Sequence, residues 1–415
     1  MQFKKTLFCI GFVYPEPKSS AAGMRILQLL ELFLENNYKV VFGTTAKNIR
    51  YSFPLESIGI EVKSISLNDS SFDTFILELN PSIVLFDRFM TEEQFGWRVS
   101  KNCPKALRIL DTEDLHFLRK SRQENIKDKF LFSKEFLDTD LAKREIASIY
   151  RSDITLIISE FEYNILVSEV GIDPDILFYI PYFFSFKEFK IKNPLPDFHD
   201  RKNFVFVGNF MHPPNLKAIL YLKNKIWPRI IQKNPEVELH IYGSYATKEH
   251  LSLSDSKNKF KVKGRVDDLY STLSTYRLML VPLEFGAGLK GKVIDSMRCG
   301  TPCALSSIAA EGIFGNFLAN GFIEDKLEEF IFKAVKLYSN KHYWEVSQNN
   351  GFEVIKKRFS KSIFVKPFMQ KVAFLMTYTE KHRLKNVVGL ILEHHSMKST
   401  KYLSKWIEEK NRISK

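Results

Sequence analysis

The sequence predicts an α/β protein of two doubly wound domains, and three observations carry that reading. Short apolar runs alternate with segments of helical spacing along most of the chain, as in a parallel sheet covered by helices on both faces. A chain of 415 residues exceeds one ordinary core and is long enough for two. The rhythm breaks at Tyr179–Pro196, where the aromatic, basic run YIPYFFSFKEFKIKNPLP reads as the interdomain connection. The expected organisation is residues 1–190 and 191–376 as the domains, with 377–415 as a basic amphipathic helical tail.

Taken in order, MQFKKTLFCIGFVYPEP imitates a secretory signal but lacks a small-residue cleavage pattern and runs into Pro15 and Pro17. It reads instead as a first buried strand, Thr6–Val13, followed by a loop at Tyr14–Gly23. Met24–Glu35 carries Ile26, Leu29, Leu30 and Phe33 at helical spacing. Strands are expected at Val40–Thr44, Gly59–Ile65, Ser82–Phe86, Leu107–Asp111 and Ile154–Ser159. Helices are expected at Ser71–Leu79 and over a long region near Lys127–Arg151. The second domain restarts with strand Phe204–Val207, helix Leu216–Ile231, strands Glu238–Tyr242 and Phe260–Val262, and helix Asp267–Tyr276. Leu327–Tyr338 and Trp344–Phe359 read as helices, and a last one near Ile363–Leu375 is expected to cross back to the first domain.

Composition narrows the function. With 45% hydrophobic and 26% charged residues the chain is a folded protein, not a disordered one. Its net charge of +13 calls for an acidic partner: nucleotide phosphates, anionic lipid or nucleic acid. The four cysteines form neither a disulfide framework nor a metal cluster, which suits a reducing cytosol. No run approaches the ~18 apolar residues of a bilayer span.

The stretch Leu278–Ser307 carries the chemistry. It reads as a strand, a glycine loop with two lysines, a short helix ended by Gly300 and Pro302, and a second strand. Strand, glycine loop and helix together aim free amides and the positive end of a helix dipole at an anion. Three loops share these letters. Gly286-x-Gly288-x-x-Gly291 matches a dinucleotide fingerprint with Glu311 about twenty residues on. Gly286-x4-Gly291-Lys292 matches a Walker A loop except that Val293 replaces the magnesium-binding hydroxyl. The third is a sugar-nucleotide donor loop.

The ordered pieces FVGNFMHPPN (Phe206–Asn215), WPRI (Trp227–Ile230), HIYGS (His240–Ser244), KGRVDDL (Lys263–Leu269), VPLEFGAGLKGKVID (Val281–Asp295) and AAEGI (Ala309–Ile313) decide among them. Together they resemble the donor half of glycosyltransferase family 4, which has the GT-B fold. SAAGMRILQLLELF (Ser20–Phe33) and LDTEDLHFLRKSR (Leu110–Arg122) resemble that family's acceptor domain, so the likeness runs to about Met376. The resemblance implies retaining, metal-independent transfer of a sugar from a nucleotide donor to a glycan or lipid-linked glycan. It implies no cofactor, and a setting in cell-surface polysaccharide or lipopolysaccharide biosynthesis.

On that resemblance, Lys290 meets the diphosphate beside the amides of Gly288 and Leu289, with Lys292 near it. Gly208, Asn209 and His212 line the same crevice. The family's two glutamates eight positions apart fall on Ala287 and Asp295. The first carboxylate is missing, the second still accepts two ribose hydroxyls, and Glu311 is the expected replacement acceptor. Asp114 and His116 stand near the reacting carbon, and Gly23 and Arg25 approach the diphosphate from the acceptor side. Asp138-Thr139-Asp140 is a literal Asp-x-Asp but lies among Lys134, Glu135, Lys143 and Arg144, and reads as a solvated face.

Two other classes remain: an NAD-dependent oxidoreductase using the glycine loop, and a nonenzymatic basic protein binding nucleic acid. The expected location is cytoplasmic, with peripheral contact to anionic membrane through the tail and no nucleic-acid partner.

Overall fold

The computed structural model describes residues 5–47, 51–125, 132–185 and 195–413. The expected domain boundary at 190/191 lies outside the described residues. Two all-parallel sheets organise the chain. The first contains β1 (Lys5–Gly11), β2 (Tyr38–Thr44), β3 (Glu61–Ser64), β4 (Ile83–Asp87), β5 (Leu107–Asp111), β6 (Ile154–Ile157) and β7 (Leu177–Tyr179), in the order β3-β2-β1-β4-β5-β6-β7. The second contains β8 (Lys202–Val207), β9 (Leu239–Tyr242), β10 (Phe260–Gly264), β11 (Tyr276–Val281), β12 (Cys303–Leu305) and β13 (Gly321–Ile323), in the order β10-β9-β8-β11-β12-β13.

Both sheets therefore grow outward from their first strand and then reverse. The reversal opens a crevice at the carboxyl ends of β1 and β4 in one sheet, and of β8 and β11 in the other. Register places particular side chains at these ends. Asp87 pairs with Asp111 at the last positions of β4 and β5, so two carboxylates emerge together.

Several elements differ from expectation for local physical reasons. Phe89–Asn102 is a helix that its charged sequence conceals, burying Phe89, Phe95, Trp97 and Val99. The expected long helix ending at Arg151 is instead a 3-10 turn (Lys134–Asp138) and a helix (Asp140–Arg151). Between them the Thr139 side chain caps the second by accepting from the Ala142 N–H at 3.2 Å. The expected helix Leu216–Ile231 is Pro213–Tyr221, a π-turn Leu222–Ile226, then Trp227–Lys233. Pro228 has no N–H to continue the ladder, and the widened turn accommodates it.

The chain crosses between the domains twice, side by side. Phe184 donates its N–H to the Phe359 carbonyl at 2.8 Å, and Lys361 donates back to the Phe184 carbonyl at 2.8 Å. The helix Lys361–Thr377 then packs on the first domain. Its Phe364, Phe368, Val372 and Leu375 join the core beneath β1 and β2, with Phe368 edge-on to Phe33 at 5.9 Å. Burying side chains of this size contributes about 1.5–3 kcal/mol each, which makes the return helix part of the domain it reaches.

The tail is also docked. Its long helix, Val387–Ile413, lies on the helices Phe89–Asn102 and Asp140–Arg151. Replacing Phe368 by alanine should lower the unfolding free energy by about 3–5 kcal/mol in urea denaturation, the cost of an aromatic deleted from a closed core. A loss below about 1 kcal/mol would mean that the return helix is not part of that core.

Candidate functional site

The crevices of the two sheets face each other, and the helix Gly291–Arg298 meets the helix Ala21–Glu35 where they do. A Cβ built on Gly291 would stand 2.8 Å from the Ala21 Cβ, so the two helix N-termini abut. Each end carries partial positive charge on unpaired amides. Neither helix has an acidic residue in its first turn. Ser20 meets part of the demand by accepting the Gly23 N–H at 3.0 Å. This is where the structure places Gly23: in the cap of the first helix.

Lys290 precedes the second helix and is almost fully buried, with Nζ donating to the Gly288 carbonyl at 2.9 Å and lying 3.9 Å from Glu311 Oε1. Burial lowers its pKa against the pull of Glu311. Lys292 donates to Asn215 Oδ1 at 2.5 Å and lies 4.3 Å from the centre of the Phe206 ring. Burial and then the charge of Lys290 bring its pKa down to about 7. Two neighbouring lysines and two helix ends thus converge on one place.

The loop between β11 and this helix is clamped by the first domain. Gly288 adopts φ +64°, and a Cβ there would come within 2.8 Å of the Asp114 Cβ, so only glycine fits on both counts. Its N–H donates across the junction to Glu162 Oε1 at 2.7 Å, and Leu115 donates to the same oxygen at 3.2 Å. Glu162 is fully buried, its other oxygen has no protein partner, and burial followed by Asp114 pushes it up to about 8. Arg122, buried in the helix His116–Glu124, donates to the Gly286 carbonyl at 2.8 Å and to both oxygens of Glu311 at 2.9 and 2.8 Å.

The remaining expected residues are placed as follows. Asp114 receives Arg119; burial opposes its charge, but Arg119 and then His116 hold its carboxyl below the usual range. His116 Nδ1 lies 3.3 Å from Glu145 Oε1 and 3.5 Å from Asp114 Oδ1. Burial lowers its pKa, yet Glu145 and Asp114 outweigh this and raise it. Glu145 also accepts the backbone N–H groups of His116 and Phe117 at 3.0 and 2.9 Å, capping their helix. Asp295 accepts from the Tyr270 hydroxyl at 3.1 Å, and burial raises it to about 6.

Gly208 follows β8 and donates to the Tyr242 carbonyl at 2.9 Å. Asn209 accepts from the Met211 N–H at 2.8 Å, and His212 stands exposed just before the helix that opens with Pro213. Leu289 offers only its backbone, because its side chain is buried in the second domain's core.

Two residues are committed elsewhere. Arg25, expected to approach a diphosphate, is 1% exposed and held by Asp111 at 2.7–3.1 Å, with a further bond to the Ile180 carbonyl at 2.7 Å. It ties the first helix to the sheet and does not reach the crevice. Glu311, expected as a replacement ribose acceptor, has both oxygens engaged by Arg122. The Asp-x-Asp pair serves local structure: exposed Asp138 pairs with Lys143 at 2.7 Å, and Asp140 begins a helix.

Sequence reasoning missed Glu162, Arg122, Arg88 and Glu113. The last two hold left-handed backbone (φ +72° and +66°) just past β4 and β5, and Glu113 Oε1 is buried without a protein partner. Such strain collects at ligand-facing turns. No local pattern marks Glu162 and Arg122, because their partners lie in distant segments.

Residues 201–340 match the model of the family described as Glycosyl transferases group 1. An uncharacterised 44.6 kDa protein in the cps region of Klebsiella pneumoniae is 26% identical over 308 residues, spanning 69% of this chain and 74% of that protein. Anabaena HepE in complex with UDP-glucose superposes with a TM-score of 0.66 at 12% identity, covering 89% of this chain and 100% of that one. WaaG, a glycosyltransferase involved in lipopolysaccharide biosynthesis, superposes with a TM-score of 0.59 at 10% identity, covering 87% and 98%. The fold is GT-B.

The lowered pKa of Lys292 generates a pH prediction for any anion that meets it, with uridine diphosphate as the probe. Lys292 has a free-state pKa of about 7, and a bound anion would raise it. Below that value the ammonium is already present and affinity is full. Above it, binding must take up a proton, so affinity falls by up to about tenfold per pH unit. Calorimetry in buffers of different ionisation heat should show proton uptake approaching one near pH ~8 and almost none near pH ~6.

Proposed function

From a GT-B chain with a Glycosyl transferases group 1 domain at residues 201–340, we propose a retaining, metal-independent glycosyltransferase. It moves a sugar from a nucleotide donor to a glycan or lipid-linked glycan in cell-surface polysaccharide or lipopolysaccharide biosynthesis. It works in the cytoplasm, at the inner face of the membrane. The observation that carries this reading is the meeting of two acid-free helix N-termini beside Lys290 and Lys292. A departing nucleoside diphosphate supplies the negative charge that this place lacks. The UDP-glucose held by HepE makes a nucleotide sugar the natural donor class.

In this reading the residues take the following parts. Lys290 and the amides opening its helix stabilise charge that grows on the diphosphate as the C1–O bond breaks. Asp295, facing the Tyr270 hydroxyl, accepts ribose hydroxyls. Asp114 and His116 enter from the acceptor side, beside the loop that Gly288 closes. The leaving phosphate takes the acceptor proton, so no hydrolase-like carboxylate pair is required.

The oxidoreductase reading is disfavoured by position. The glycine loop follows β11, the fourth strand of its sheet, whereas a dinucleotide fingerprint follows the first.

Lys290→Ala should lower turnover about 100-fold or more while leaving the melting temperature near the parent's; equal activity would remove the lysine from the mechanism. Transfer should also survive chelation by EDTA, because lysines and helix-end amides take the metal's part. Loss on chelation with recovery on manganese would instead assign the diphosphate to a cation.

A further inference from the structure

The tail helix Val387–Ile413 is amphipathic in an inverted sense. The stripe facing the protein is Gly389, Glu393, Met397, Ser404 and Glu408, spaced four or seven residues apart and buried or half-buried. It is mostly polar. Glu393 reaches Arg108 at 3.0 Å, and Arg98, itself 1% exposed, lies 3.5 Å from Glu408 and 3.2 Å from Ser404 Oγ. Gly389 lets the helix sit on the Tyr150 carbonyl, which a Cβ would approach to 2.3 Å.

The opposite stripe is Val388, Ile391, Tyr402 and Trp406, and it points outward. Tyr402 is 65% and Trp406 61% exposed. A helix that turns its acids inward and its aromatics outward is not solvated in the ordinary way.

Charge says what meets the outer stripe. Lys398, Lys405 and Lys410 flank it and are exposed, and Glu409 is the one carboxylate of the helix on that side. The Lys410 ammonium lies 5.4 Å from the Trp406 ring centre. A second copy of this +13 chain would bring like charges together. An anionic lipid surface would accept both the lysines and the rings, since tyrosine and tryptophan favour the headgroup level.

We propose that the outer face of Val387–Ile413 seats the protein on an anionic membrane surface. The helix is borne by the first domain, across the helices Phe89–Asn102 and Asp140–Arg151. The inference deepens the proposed action at the inner membrane face. It does not depend on the transfer chemistry.

Fluorescence isolates the surface, because Trp97, Trp227 and Trp344 are buried and Trp406 is exposed. The full chain should float with vesicles of equal parts phosphatidylcholine and phosphatidylglycerol, and not with phosphatidylcholine alone. Trp406 emission should shift to the blue and become shielded from acrylamide, and added salt should reverse both. The double variants Tyr402→Ser with Trp406→Ser, and Lys398→Gln with Lys405→Gln, should each lower partitioning by about tenfold or more. Their melting temperatures and uridine diphosphate binding should match the parent's.

Failure of the folded parent to float, or equal flotation of parent and variants, would overturn the assignment. So would concentration-dependent dimerisation that Trp406→Ser abolishes without vesicle binding, which would make the occupant a second copy. Nucleotide binding is read in the same samples. Its absence in the parent would count against the transferase reading and leave the vesicle result standing.

Discussion

The meeting of two helix N-termini beside two buried lysines is the constraint on which the rest depends. The helices opening at Ala21 and Gly291 point their N-termini at one place, and Lys290 and Lys292 add two ammonium groups with lowered pKa values. Like charges held together in a buried setting are unfavourable unless an anion shares them. The two sheets fix this arrangement: each reverses direction beside its first strand, and each delivers a loop and a helix end to its crevice.

The junction is held by contacts between buried charged side chains and the glycine loop. Arg122 takes Glu311 and the Gly286 carbonyl, while Glu162 takes the Gly288 amide. Both act on the loop that positions Lys290, and both come from the opposite domain. The backbone of the loop between β11 and the helix Gly291–Arg298 is therefore held in part by the first domain.

The C-terminal segments bind the halves in a second way. Lys361–Thr377 contributes aromatic side chains to the first domain's core, and the tail helix brings Glu408 and Glu393 to Arg98 and Arg108. Arg98 is shared with Asp73 of the first domain at 2.6 Å, so the tail extends an ion pair already present there. The tail is thus a fourth layer on the acceptor-side domain, with one face built for protein and the other left outward.

The sequence alone determined the α/β class and the two doubly wound sheets. Apolar runs of period two and helical segments of period 3.6 are local signals. The strand–glycine loop–helix of Leu278–Ser307 was legible for the same reason: its geometry is set by neighbours in the chain. Only the tertiary structure decided that Arg25 serves Asp111, that Glu311 answers Arg122, and that Glu162 holds the donor loop. Arg122 and Glu311 are 189 positions apart, and Glu162 and Gly288 are 126 apart. The tail's composition announced amphipathicity, but which stripe faces inward depended on buried Arg98 and Arg108. Glu393 and Glu408 lie towards those buried guanidinium groups, a pairing that only the packed helix reveals.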